Sequence, residues 1–196
     1  MKKILAIGNS FSQDATALLE IFSSELYVRN LYIPGCPLSY HSELASTEER
    51  IYEYQVYGES SDSKRVSLAE GLDFENWDYV TLQQVSGLSG IKESFYPYLS
   101  TVSEYVSRRT AAKIVLHETW AYETGCGHPD FSKYDNDRKK MQEMIRETYD
   151  EISAKEGWSV IRTGDLIAKL RENPFFDVER GGISLSRDGY HLSLNY

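Results

Sequence analysis

Two segments far apart in the chain carry residue types that complement each other chemically. Near the C-terminus, Arg187-Asp-Gly-Tyr-His-Leu-Ser193 sets a carboxylate, Asp188, three residues before an imidazole, His191. On one helical turn or in a short loop, that spacing lets the carboxylate accept a hydrogen bond from Nδ1–H, which orients the ring as a base. Such a base needs a nucleophile. Ser10, in Gly8-Asn-Ser-Phe-Ser12, follows a short apolar run and precedes a helical pattern. It therefore lies at a strand-to-helix elbow, where its own N–H and the helix N-terminus can face developing negative charge. The plainer readings are a Gly-x-Ser turn of the kind common in α/β proteins and an Asp-Gly turn beside an exposed histidine. It is the pairing of the two segments that favours nucleophilic catalysis.

A scaffold must bring these segments together, and the hydrophobic pattern supplies one. Lys3-Ile-Leu-Ala-Ile-Gly8 reads as a strand buried on both faces. Ser12 or Asp14 can cap a following helix whose stripe runs through Ala15, Leu18, Leu19, Phe22 and Leu26. Residues 30–33, before Pro34-Gly35, predict a second strand, and 39–54 a helix with a weak apolar stripe. Between Tyr54 and Trp77 the chain turns polar, with 58–63 as a turn between two short extended pieces. Residues 78–82 and 113–116 predict two more buried strands, separated by a helix through Tyr98, Val102, Tyr105 and Val106. A long helix over 136–155 carries Met141, Met144, Ile145, Tyr149 and Ile152 on one side, and 158–161 is a fifth strand. This alternation predicts an α/β chain: a three-layer α/β/α sandwich around a five-stranded parallel sheet with right-handed crossovers. Sites in such sheets lie at the carboxyl ends of the strands. The segments to weigh are then Gly8 to Ser12, Pro34-Gly35-Cys36, Gln83-Gln84-Val85-Ser86 and His117-Glu118-Thr119-Trp120.

The composition narrows the partners. The chain has 196 residues, a net charge of −9, 41% hydrophobic and 26% charged residues, enough for one domain, 1–196, with a sizeable core. Basic residues are scattered among acids, which argues against nucleic acid or an anionic membrane as partner. No stretch approaches the length of a membrane span. The apolar run after Met1-Lys2-Lys3 breaks at Gly8-Asn9-Ser10, too early for a signal peptide. The expectation is a cytoplasmic protein as the sequence stands, or a secreted or periplasmic one had a leader been removed. Cys36 and Cys126 form neither a disulfide framework nor a CxxC pair. His117, Cys126 and His128 match no usual spacing of metal ligands, so no metal and no cofactor is expected.

Ile7-Gly-Asn-Ser-Phe-Ser12 together with Asp188-Gly-Tyr-His-Leu-Ser193 resembles the SGNH hydrolase (GDSL-like lipase and esterase) superfamily over nearly the whole chain. Leu31-Tyr-Ile-Pro-Gly35, Trp77-Asp-Tyr-Val-Thr-Leu-Gln-Gln84 and His117-Glu-Thr-Trp-Ala-Tyr122 look like one bacterial branch of it whose function is unassigned. The resemblance implies a flavodoxin-like three-layer fold and a nucleophilic Ser10 with a triad completed by Asp188 and His191. It also implies an oxyanion hole using the N–H groups of Ser10 and Gly35.

The chain departs from the family pattern at two places. The family's third motif usually supplies an asparagine amide to the oxyanion hole, where this chain has Gln83-Gln84. Alternation along a strand lets only one glutamine face the site, and Gln84 is preferred over Gln83. Secondly, only Leu192 to Tyr196 follow His191 where the family continues into a helix. A domain lacking that helix leaves the base near a fraying end, anchored at most by Leu192, Leu194 and Tyr196. The expectation is that a neighbouring subunit of a homodimer covers the tail, or that the contact of His191 with Ser10 is long or absent.

The function expected is a serine ester hydrolase acting on a small acyl group such as acetyl, carried by an alcohol such as a carbohydrate. His117 and Trp120 are candidates for substrate binding, although for Trp120 and Tyr122 core packing is the plainer role. Two alternatives are a non-catalytic module whose 8–14 loop cradles phosphate or flavin, and a degenerate hydrolase that keeps only carbohydrate binding.

Overall fold

The computed structural model describes residues 1–61 and 64–193, and the apolar runs of the sequence become the centre of one sheet. Its strands are β1 (Lys2–Gly8), β2 (Leu26–Tyr32), β3 (Glu53–Val56), β4 (Glu59–Ser60), β5 (Tyr79–Leu82), β6 (Lys113–His117) and β7 (Ser159–Ile161). They lie in the order β4-β3-β2-β1-β5-β6-β7. β1 pairs in parallel with β2, from Lys2 opposite Leu26 to Gly8 opposite Tyr32, and with β5, from Ile4 opposite Tyr79 to Ile7 opposite Leu82. β5–β6 and β6–β7 continue the parallel set. The chain winds outward from β1 in both directions, so the switch point of the sheet lies between β1 and β5, and the loops after these strands border its crevice.

Helices α1 (Ser10–Thr16), α2 (Leu19–Phe22), α3 (Leu38–Thr47), α4 (Leu68–Asp73), α5 (Tyr98–Arg109), α6 (Arg138–Glu156) and α7 (Thr163–Leu170) flank the sheet. α3, α4 and α5 pack together, as do α6 and α7. The stripe read from the sequence is the buried face of α6, with Met141, Ile145, Tyr149 and Ile152 sealed from solvent; on α5 Val102 and Val106 do the same. Leu5, Ile7, Leu31, Val80, Leu82 and Leu116 supply the sheet's share of the core.

The α/β/α architecture is the one expected, but the sheet has seven strands rather than five. Its five parallel strands carry an antiparallel hairpin, β3–β4, on the β2 edge. The helix expected over 39–54 stops at Thr47 because Glu48 takes a left-handed conformation (φ 55°). The next residues follow the strand period instead: Gln55 is buried and accepts a hydrogen bond from Asn30 Nδ2 of β2 (2.9 Å). A weak helical stripe loses to an open sheet edge that needs covering. The helix expected to reach Leu26 breaks into α1 and α2, with Ile21 and Phe22 exposed, and β2 begins at Leu26 rather than at residue 30. α7, which the pattern did not announce, follows β7 directly. The expected turn over 58–63 has its last two residues outside the described ones, as do Leu194 and Tyr196.

Candidate active site

Backbone chemistry fixes the elbow after β1. Asn9 is the extended N-cap of α1; its Oδ1 accepts from Phe11 N–H (3.1 Å) and its Nδ2 donates to Cys36 O (3.0 Å). The one side chain thus caps the helix and ties it to the loop after β2. Gly8 must lack a side chain, since a Cβ there would lie 2.6 Å from Ser12 Oγ. Ser10 is then the first helical residue, half-buried, and among the described residues neither its N–H nor its hydroxyl has a hydrogen-bond partner. Across from it, Ile33-Pro-Gly-Cys36 closes a turn through Cys36 N to Ile33 O (3.3 Å) with Gly35 at φ +58°. That conformation suits glycine at the third position of a turn. The Gly35 N–H is likewise unused among the described residues.

The second half of the site is a loop. Asp188 Oδ2 accepts from His191 Nδ1 (2.6 Å), while its Oδ1 accepts from the backbone N–H of His191 (2.8 Å) and Tyr190 (3.2 Å). Burial alone would raise the Asp188 carboxyl; the donors of His191 and Tyr190 outweigh it and hold it below the usual value. With Nδ1 carrying the proton, Nε2 of the neutral ring is an acceptor. Gly189, at φ +92°, makes the turn and presses on Cys126, which a Cβ would approach to 3.2 Å.

Ser10, Gly35 and His191 line one cleft of about 260 Å³, whose other walls include Asn9, Tyr32, Ser86, His128 and Tyr190. The loop expected to fray is tied down within the chain. Trp120 Nε1 donates to Tyr190 O (2.6 Å), Glu123 N to Gly189 O (2.7 Å), and Arg187 N to His191 O (2.9 Å). No hydrogen bond joins Ser10 to His191.

Four of the expected site residues stand elsewhere. Gln84 does not line the cleft: its Oε1 accepts from Leu38 N and Val85 N (2.9 Å each) and its Nε2 donates to Ser94. Three backbone segments need that amide, which turns it away from the crevice. Gln83 lies behind the cleft wall, where its Nε2 donates to Asn9 Oδ1 (2.9 Å) and its Oε1 accepts from His117 Nδ1 (2.6 Å). His117, buried and pushed down to about 4 by desolvation, is neutral, and its Nε2 accepts from Thr163 Oγ1 (3.1 Å). Trp120 is fully buried and stacked on Phe11, with ring centroids 4.3 Å apart. His117, Gln83 and Trp120 are therefore supports, not walls. Cys36 is buried, with its thiol pushed up to about 12 by desolvation, so it stays a thiol. Among the described residues no cluster of His, Cys, Asp and Glu could hold a metal.

His128 and Tyr32 were not singled out as cleft residues from the sequence, whereas Asn9 and Tyr190 lie inside the two segments that were. Tyr32 had only its place at the end of β2 as a signal, and His128, eleven residues beyond β6, had none. His128 Nδ1 accepts from Asp130 N–H (3.2 Å), and its ring packs between Tyr122 and Tyr190.

Solved structures share this fold. A DUF4886 family protein of Bacteroides uniformis is 33% identical, with a TM-score of 0.86 over 99% of this chain and 77% of that one. A protein of Slackia heliotrinireducens described as a candidate SGNH hydrolase is 21% identical (TM-score 0.66; 98% of this chain, 90% of that one). A carbohydrate acetylesterase family member from Sinorhizobium meliloti is 13% identical (TM-score 0.54; 98% and 90%). Comparison with curated proteins returns no match. The fold is that of the SGNH and GDSL-like hydrolases, as the terminal motifs predict. The family model of DUF4886, a domain of unknown function, matches residues 3–196, and the chain belongs to that family.

Proposed function

We propose that the chain is a serine ester hydrolase that removes a small acyl group, such as acetyl, from a polar alcohol such as a carbohydrate. The observation that carries this reading is the Asp188-oriented His191 on the same 260 Å³ cleft as Ser10. His191 Nε2 takes the Ser10 proton as Oγ attacks the ester carbonyl; the oxyanion forms opposite the unused N–H groups of Ser10 and Gly35 at the start of α1. The imidazolium, stabilised by Asp188, then protonates the departing alcohol. Water, deprotonated by the same histidine, releases the acid and restores Ser10. In the free protein the lack of a serine–histidine hydrogen bond is ordinary, since catalytic hydrogen bonds tighten on binding substrate. The size of the cleft supports a short acyl chain, and its Tyr32, Tyr190 and His128 walls support an amphipathic alcohol.

Intact-mass analysis after a fluorophosphonate probe tests the proposal. One adduct mapping to Ser10, absent in Ser10→Ala together with p-nitrophenyl acetate turnover, is the expected result. A Ser10→Ala variant that turns over the ester as fast as the wild type overturns the role of Ser10, and a wild type with neither adduct nor turnover leaves the non-catalytic binding module.

A further inference from the structure

The base stands close to the end of the chain, and the contact that fixes its loop comes from the helix that starts with the nucleophile. Asp14 is one turn beyond Ser10 on α1, with its side chain only 3% exposed. Its Oδ1 accepts from both Nη1 and Nη2 of Arg187 (3.1 Å each), and its Oδ2 accepts from the backbone N–H of Leu192 (2.9 Å) and from Nη1 (3.2 Å). The same guanidinium also donates to Leu192 O. One carboxylate therefore grips both ends of the 187–192 loop, and Asp188 and His191 lie between the two grips.

We infer that Asp14 is a positioning residue that clamps the Asp188–His191 loop onto the helix of Ser10, setting the serine-to-imidazole distance through Arg187 and Leu192. This rests on the hydrolase reading for its catalytic consequence, though not for the clamp itself. The other hydrogen bonds from outside the loop come from the far side, through Trp120 and Glu123; among the described residues only Asp14 hydrogen-bonds it to α1, beside a non-directional ring contact of Phe11 with His191 (centroids 6.0 Å apart). A bidentate, charge-assisted pair is directional, and a misplacement of about 1 Å can cost on the order of 100-fold in rate. A hollow of about 380 Å³ beside the clamp, lined by Gln13, Tyr57 and Ser193 among others, leaves room for the loop to shift when the clamp is cut.

The test uses the full chain with Asp14→Asn, which keeps the size of the side chain, and Arg187→Met, at a half-exposed position where misfolding is not expected. Both should speed amide hydrogen exchange at 187–192 by about tenfold or more while leaving β1 and β5 unchanged. Both should lower kcat for p-nitrophenyl acetate by about 10- to 100-fold with KM within twofold. The double variant should be no worse than the poorer single one, because both act through one contact. Faster exchange with wild-type kcat overturns the positioning role, and unchanged exchange overturns the clamp. Ser10→Ala, measured alongside, separates the two ideas: if it remains active the hydrolase reading falls, and the exchange experiment alone decides the clamp.

Discussion

His128 and His191 line the same cleft with opposite hydrogen-bonding characters, and their neighbours decide which is which. Nδ1 of His191 donates to Asp188, which leaves Nε2 as an acceptor; Nδ1 of His128 accepts from Asp130 N–H, which leaves the neutral ring an Nε2–H donor with no partner among the described residues. The first suits a base, the second a grip on a substrate oxygen. His128→Phe keeps the ring contacts with Tyr122 and Tyr190 and removes the donor. It should raise KM for an acetylated sugar by up to about tenfold, and by clearly less for p-nitrophenyl acetate; equal KM changes for the two esters argue against a donor to the alcohol. The two glutamines should also separate. Gln83→Leu leaves Asn9 and His117 unsupported and should lower kcat, whereas Gln84→Leu orphans the N–H groups of Leu38 and Val85 and should cost about 1–3 kcal/mol of stability in urea unfolding. Ser10, Asp188 and His191 were legible because their chemistry is written in short local spacings. Asp14 and Arg187 were not, because an acid one turn into a helix and an arginine 173 residues later share no local signal. Alternation said that Gln83 and Gln84 diverge, but that neither lines the crevice depends on partners distant in sequence: Leu38 and Ser94 hold Gln84, and Asn9 and His117 hold Gln83.

At the scale of elements, the strands that matter for the site were readable as apolar runs ended by glycine or a polar residue, and the loops after β1 and β5 follow from them. What hid from the pattern was structure stabilised by an edge or by a close approach. The β3–β4 hairpin exists because β2 has a free edge, a fact of the assembled sheet rather than of residues 53–60. α7 is set by Gly164: a Cβ there would lie 2.2 Å from the backbone oxygen of Thr119 and 3.0 Å from both Gln142 Nε2 and Glu118 Oε1. The helix therefore sits directly against the segment that follows β6, beside the Thr163 that meets His117. Gly164→Ala forces backbone apart and should destabilise the fold by about 1–3 kcal/mol in urea unfolding. Because Thr163 moves with it, the His117–Gln83–Asn9 chain should loosen and ester turnover should fall as well. An alanine variant with wild-type stability would mean that α7 is not packed this closely.

For the molecule as a whole, a net charge of −9 sets the background, and one interior carboxyl makes a contribution to the pH dependence of stability that a single variant isolates, set against the buried histidines His41 and His117, whose lowered values act in the opposite direction below pH 6.5. Glu118, fully buried after β6, accepts from Gln142 Nε2 (3.1 Å) and has Arg162 Nη1 at 3.7 Å. Burial, with Asp165 nearby, pushes its carboxyl from 4.5 up to about 7, and Arg162 and Gln142 only partly oppose this. Below 4.5 the group is neutral whether the chain is folded or not. Between 4.5 and about 7 the unfolded chain has released a proton from this group that the folded chain keeps, so the contribution of Glu118 to stability declines as pH rises; above about 7 that loss is complete. At about 1.4 kcal/mol per unit of pKa, the full loss is on the order of 3 kcal/mol. Glu118→Gln keeps an oxygen for Gln142 and cannot ionise. Its Tm should exceed that of the wild type by several degrees at pH 8, with the gap closing as pH falls to 4.5. A gap that stays constant from pH 4.5 to 8 would show that Glu118 ionises as it does in the unfolded chain, and that the interior around β6 admits its charge at no cost.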